Sequence, residues 1–381
     1  MASDKGYFGY IRRLMMMVGI WRLLDYQTST LKRRIYEVYA VLFQLICLSA
    51  LVSLIGELPI LFRTNNATAA MDNIGKIIAT VVVIFKMTMW RSNQMLRLMR
   101  LVLHQDSDIR LQPDSQIKAI YQRHQNYDDK FISLIVSSAV MIAVCAAGFG
   151  DVDCYLYTRQ FRNLNQTQKP LPMNLWYPFD RNRHYVFVLI DQNIRPSMAC
   201  LCIGVVSASV NSVIVFLKLQ LTLLQRNFRS FDGCKGNDLK ALCVEHQKLI
   251  EFVAIFNGAM RNIIFLEYTV SSLTFATVIF QITTGDQLVF SFTMLAYISL
   301  QLLTFAWNSN EILIQSIELA KAIYESRWYD QSKSTKLLLY TMMMRCQKPL
   351  CLRIGLLGVM DLNAGLSRLK LGYSYTSVMK T

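Results

Sequence analysis

"QLVFSFTMLAYISLQLLTFAWNSNEILIQSIELAKAIYESRWY", residues 287–329, contains neither proline nor glycine. Its first half, 287–310, is apolar enough to cross a bilayer, which takes ~20 such residues. Its second half is charged. Even so, apolar residues continue at helical spacing through Ile312, Ile314, Ile317, Leu319, Ala322 and Ile323. As one helix the whole stretch reaches roughly 65 Å, about twice the ~30 Å of the hydrocarbon core. Residues 239–283 and 185–229 read the same way, the latter interrupted by Pro196. Helices that overhang a membrane side by side must bury their apolar stripes against one another. A compact helical platform is therefore expected where the inner ends of spans four to seven meet.

Working outward, seven segments suit a bilayer crossing: 36–62, 74–90, 131–150, 185–217, 249–283, 287–310 and 349–381. The fold class is thus an all-α membrane protein of seven transmembrane helices. The second span is short and holds Lys76 and Lys86, whose stems are expected to snorkel. Lys and Arg set the direction. Residues 1–36 carry seven, 91–130 seven, 218–248 six and 321–353 seven, against one in 57–75, five in 151–184 and none in 282–288. The positive-inside rule then puts the N-terminus in the cytosol and, after seven crossings, the C-terminus outside. The two N-x-S/T sequons, at Asn66 and Asn165, both fall in loops assigned outside and are expected glycosylation sites.

Four regions follow. Residues 1–35 form a cytosolic N-terminus in which 8–24, with Ile11, Leu14, Met15, Val18, Trp21 and Leu24 against Arg12, Arg13 and Arg22, is expected as an amphipathic helix in the inner interface. Residues 36–229 hold spans one to four, 230–348 helices five and six with the cytosolic anchor, and 349–381 the last helix. Pro349 should divide a short helix, 335–346, from a second one running from 350 to the end. The N-terminal segment lacks a small-residue cleavage site, so no cleaved leader is expected.

Several classes are disfavoured. The net charge of +15 is spread between hydrophobic runs rather than gathered on a polar module, so nucleic acid is not an expected partner. The nine cysteines form no C-x-x-C pair and the four histidines show no ligand spacing, so neither a metal nor another cofactor is expected. No catalytic constellation emerges, and the chain is read as a non-enzyme. A cytosolic N-terminus, with no DRY-like or NPxxY-like motif, argues against a G-protein-coupled receptor. No internal repeat supports a transporter. Asp191 and Arg195, four apart in span four, can neutralise each other.

The last span is poorly hydrophobic. At helical intervals it presents Ser367, Leu371, Ser374, Val378 and Thr381, hydroxyls alternating with single apolar residues. Two arrangements suit such a stripe. In one, several subunits each line a pore with it, Val378 gating by dewetting. In the other, the helix packs inside its own bundle with no lumen.

"NEILIQSIELAKAIYESRWYD" (310–330), "MMRCQKPLCLRIG" (343–355) and "GYSYTSVMK" (372–380) resemble the C-terminal signature of insect odorant receptors, and "NLWYPFD" (174–180) is similar to their second extracellular loop. The resemblance implies tetramers with a cytosolic anchor and a central pore lined by the last helix, with Val378 at the hydrophobic gate. It implies an odorant-specific subunit that assembles with a shared co-receptor into a ligand-gated, non-selective cation channel in the plasma membrane of olfactory neuron dendrites. The co-receptor's long insertion between spans four and five is absent here. The gustatory branch's terminal Thr-Tyr-(five apolar)-Gln-Phe motif is replaced by "SYTSVMKT". The ligand pocket implied by the family lies at the depth of Thr80, Val83, Ser138, Met141, Cys145, Gln192, Phe290, Thr293 and Tyr297, a lining suited to a small volatile molecule with one polar function. Small and apolar residues at that depth also serve simply to pack helices.

An epitope placed at the N-terminus is expected to stain only permeabilised cells. Staining of intact cells would reverse the topology.

Overall fold

The computed structural model describes residues 6–22, 30–64, 67–161, 171, 173–231, 236–284 and 288–379. Among these there are ten α-helices and no strand beyond one isolated bridge. They are α1 (Gly9–Met17), α2 (Thr30–Arg63), α3 (Ala67–Trp90), α4 (Asn93–Leu111), α5 (Ser115–Phe161), α6 (Tyr185–Arg229), α7 (Gly236–Thr284), α8 (Leu288–Tyr324), α9 (Lys333–Cys346) and α10 (Leu362–Met379). By length and apolarity α2, residues 73–90 of α3, α6, residues 239–283 of α7 and α8 can each cross a membrane. The expected third span lies inside α5, and the last, expected at 349–381, is helical among the described residues only over α10.

α6 is the central element. From Cys202 to Phe228 nearly every residue is buried, including Ser207, Ser209, Asn211 and Ser212. The reason lies in residue size. Small side chains let neighbouring backbones approach, and in lipid such packing is what holds helices together. Gly204 is one such close approach: a Cβ there would stand 2.7 Å from the Cβ of Ala139 on α5. Two of the hydroxyls on α6 are spent locally, Ser209 and Ser212 donating to the carbonyls of Val205 and Ala208. Asn211 reaches across and accepts from Asn308 of α8 at 2.8 Å. α2, by contrast, is exposed along much of its apolar length, with Val38, Leu42, Leu45, Val52 and Ile55 uncovered.

The basic end of the bundle carries the overhangs. There α6, α7, α8 and α9 pack together, as the apolar stripe of α8 requires: Ile312, Leu319, Ala322 and Ile323 are all buried. Two other stripe members, Ile314 and Ile317, face outward. Asp114 caps α5, accepting from the Gln116 backbone N–H at 2.8 Å and from the Arg226 guanidinium at 2.7 Å. These contacts hold its carboxyl below the usual carboxylate range. Asp106 on α4 is buried and accepts from the Tyr121 hydroxyl at 2.7 Å. Burial raises its pKa, partly countered by Tyr121 and Arg110.

Two expectations are corrected at this end. The N-terminal helix does not lie with its apolar face in an interface. It is short, and Ile11, Met15, Val18 and Trp21 turn into the protein. Tyr7 and Phe8, just before it, pack their rings edge-on to that of Phe216 on α6, with centroids 5.3 Å apart. Gly19, at φ 73°, then turns the chain back, and its carbonyl accepts from Arg91 at 2.8 Å. The second correction concerns residues 350–361, expected as helix. They form a tight reversal bridged between Arg353 and Val359, with Gly355 at φ 50° and Gly358 at φ 107°. Those values suit glycine and break a helix. The last helix therefore begins only at Leu362, where the Asp361 carboxylate accepts from the Ala364 backbone N–H at 2.7 Å.

Gly204→Val should destabilise the bundle by about 1–3 kcal/mol through overpacking against α5. The check is thermal unfolding of the purified protein in detergent, where an unchanged midpoint would mean that the helices part easily.

Candidate functional site

At the end opposite the basic one, residues 173–184 cross the helix ends and are fastened to three of them. The Trp176 N–H donates to the Ser53 carbonyl of α2 at 3.0 Å, and Asn73 of α3 donates to the Asn174 carbonyl at 3.0 Å. Gln192 of α6 makes both of its amide bonds to one residue, accepting from Met173 N–H at 3.1 Å and donating to Met173 C=O at 3.0 Å. Arg181 pairs with buried Glu57 at 2.8 Å. Asp191 and Arg195 form the pair their spacing suggests, at 2.7 Å. They do more than neutralise each other: Tyr177 donates to Asp191 at 2.8 Å, and Arg195 lies over the Tyr177 ring and donates to Ser53 at 3.2 Å. Leu54, Leu175, Tyr177 and Val188 close a small apolar cluster beneath. The result is a segment fitted across the ends of α2, α3 and α6.

The pocket residues named from sequence divide by burial. Val83 and Tyr297 are buried; Thr80, Ser138, Cys145, Phe290 and Thr293 are half-buried. Met141 is exposed. Three hydroxyls are spent on their own helices: Thr80, Ser138 and Thr293 donate to the carbonyls of Lys76, Ile135 and Phe290. Gln192 is committed to holding Met173. That leaves the Tyr297 hydroxyl as the available polar group in the set. It is buried, lies close to Ser207 and Glu267, and forms no well-aligned bond to either.

Sequence reasoning missed what surrounds Tyr297. Lys86 does not snorkel. It is 3% exposed and forms an ion pair with Glu267 of α7. Gln301 of α8 donates to Glu267 and to Ser207 at 2.7 Å. Lone charges in apolar spans were the visible signal, yet the partners stand far apart along the chain. No periodicity joins them.

α10 has two opposed faces. Gly365 and Gly372, seven apart, seat it: a Cβ on Gly365 would meet Ala306 at 2.7 Å, and one on Gly372 would meet Phe275 at 2.6 Å. Ser367 and Ser374 fall half a turn away and are exposed, with Leu371 half-buried beside them. Val378 belongs to the helical backbone of α10, but its side chain lies outside the described residues, as do Thr381, Asn66 and Asn165.

This is a helical multi-pass membrane protein with a segment fastened across the helix ends at one end and closely packed helix overhangs at the other. Residues 66–373 match the family model described as 7tm Odorant receptor, and the chain belongs to that family. Among its relatives, Odorant receptor 10 of Aedes albopictus is 24% identical over 285 residues, 69% of this chain and 75% of the relative. Odorant receptor 30a of Drosophila melanogaster is 22% identical over 287 residues, 69% and 74% of the two chains. The fold matches the solved structure of the insect olfactory receptor OR5 from Machilis hrabei in complex with eugenol, with a TM-score of 0.78 at 15% identity, covering 98% of this chain and 97% of that one.

Gln192→Leu keeps the volume and removes both bonds to Met173. At about 1 kcal/mol net per hydrogen bond, amide exchange in residues 173–177 should rise roughly tenfold or more. Unchanged protection there would show that the other fastenings suffice.

Proposed function

We propose that this chain is an odorant-specific subunit of a ligand-gated, non-selective cation channel, built with a shared co-receptor into a heterotetramer. α2, α3, α5, α6, α7, α8 and α10 are its seven crossings, with the N-terminus in the cytosol, the basic end as the cytosolic anchor, and Asn66 and Asn165 outside. Its seat is the plasma membrane, in the dendrite of an olfactory neuron.

The observation that carries this proposal is the division of α10. A helix that sinks a glycine face into its own bundle and exposes a face bearing hydroxyls is poorly suited to lipid. It is well suited to water on a shared axis between subunits. Ser367 and Ser374 then solvate the passing ion, with Leu371 beside them, and Val378 closes the pore near its outer mouth, followed by Thr381. The odorant belongs under the cover formed by residues 173–184. Val83, Phe290 and Tyr297 supply apolar surface there, and the Tyr297 hydroxyl supplies the polar contact. OR5, with its bound eugenol, supports a small, mostly apolar ligand of this kind. The ligand opens the channel only so far as it binds the open state better than the closed one.

The rival reading, a pore-free receptor signalling through G proteins, and the gustatory-type channel subunit differ in what they need. Coexpressed with the co-receptor, the chain should give odorant-evoked cation currents within milliseconds that persist when G proteins are blocked. Loss of the response on blockade would favour the pore-free receptor, and activation by tastants but not volatiles the gustatory type. Val378→Ser should raise leak or change ion selectivity. Alanine at both Phe290 and Tyr297 should lower odorant sensitivity by roughly tenfold or more, as expected for losing a buried aromatic contact; intact sensitivity and odorant ranking would move the pocket elsewhere.

A further inference from the structure

The polar node around Glu267 ties four helices together. Lys86 comes from α3, Glu267 from α7, Gln301 from α8 and Ser207 from α6, and each is buried. Gln301 has one amide nitrogen with two hydrogens, and both are used: one on the Glu267 carboxylate, one on the Ser207 hydroxyl. Within an apolar slab such a charge pair has no water to fall back on. Separating the partners leaves two uncompensated ions, and α3 and α7 are therefore bound to move together.

Its placement matters as much as its chemistry. Lys86 lies one helical turn from Val83, and Gln301 one turn from Tyr297, so the node is the floor beneath the pocket residues. On the other side, Glu267 stands on α7 between Phe265 and Phe275. Phe265 is pressed against Gly355 in the reversal that leads into α10, and Phe275 against Gly372 on α10 itself. The node thus joins the helices that line the covered region to the helix that holds α10.

We propose that the Lys86–Glu267 pair, braced by Gln301 and Ser207, is a positioning element that transmits ligand-driven displacement of α3 to α7 and α10. The assignment rests on the channel reading above. It predicts that the pair governs how well a bound odorant opens the pore, beyond any part it has in holding the fold.

The test records odorant dose–response curves for the chain coexpressed with the co-receptor, with surface protein measured in parallel, for K86M, E267Q, the neutral double K86M/E267Q and the charge-exchanged double K86E/E267K. Absent currents in the unaltered protein would fail the channel reading before any variant is compared. With those currents present, the neutral double should reach the surface, keep the odorant ranking and lose roughly tenfold in maximal current per receptor, within the ordinary range of coupling between sites. The charge-exchanged double should regain most of that loss. A pair that serves the fold alone is satisfied by two neutral side chains, so a neutral double that gates normally overturns the proposal. It is equally overturned if neither double reaches the surface, since the pair is then only a folding requirement, or if the exchanged double gates no better than the neutral one. Single variants that reach the surface and gate normally also overturn it.

Discussion

A polar group inside an apolar slab must find its partner within the protein, and most of the architecture follows from that constraint. Backbone groups meet it by forming helices, which is why among the described residues nearly everything that crosses is helical. Side chains meet it in two ways. Hydroxyls on α3, α5, α6 and α8 turn back onto their own helices, as at Thr80, Ser138, Ser209 and Thr304. Groups that cannot be satisfied locally pair across helices, as Asn211 does with Asn308 and Lys86 with Glu267. Each cross-helix pair therefore also fixes the register of the two helices it joins.

The same constraint divides the molecule along its length. Toward the middle, close packing of small residues around α6 dominates. Gly204 against Ala139 is one such close approach. At the basic end water is available, and the helices are joined by ion pairs such as Arg226 with Asp114 and Arg229 with Glu325. At the other end the crossing segment is held by a mixture of the two, with Asp191, Arg195 and Tyr177 sharing one another's polar atoms above a patch of Leu54, Leu175 and Val188.

What could be read in the sequence was what repeats or lies close along it. The overhanging helices were visible in the apolar spacing from Ile312 to Ile323, and the Asp191–Arg195 pair in its four-residue step. The family was visible in a few motifs near the C-terminal end. Two kinds of feature stayed hidden. One was pairing between distant residues: Lys86 looked like a snorkelling lysine because its partner lies on α7. The other was backbone conformation. Pro349 was read as the single break before the last helix, whereas Gly355 and Gly358 fold the next residues into a reversal and postpone that helix to Leu362. A glycine in sequence does not announce the sign of its φ.

The reversal between α9 and α10 is clamped at several points. Leu350 N–H donates to Ser316, Asn257 bonds both Cys351 and Arg353, and Gly355 abuts Phe265. α10 is thus fixed at its start by this clamp and seated further along by Gly365 against α8 and Gly372 against α7. At about 1.5 Å per residue it is about 27 Å long, so a lean of only about 5°, shared with the helices it is seated on, carries its far end about 2 Å. Leverage of that sort turns a sub-ångström adjustment near Asn257 into a displacement as wide as an atom at the far rim.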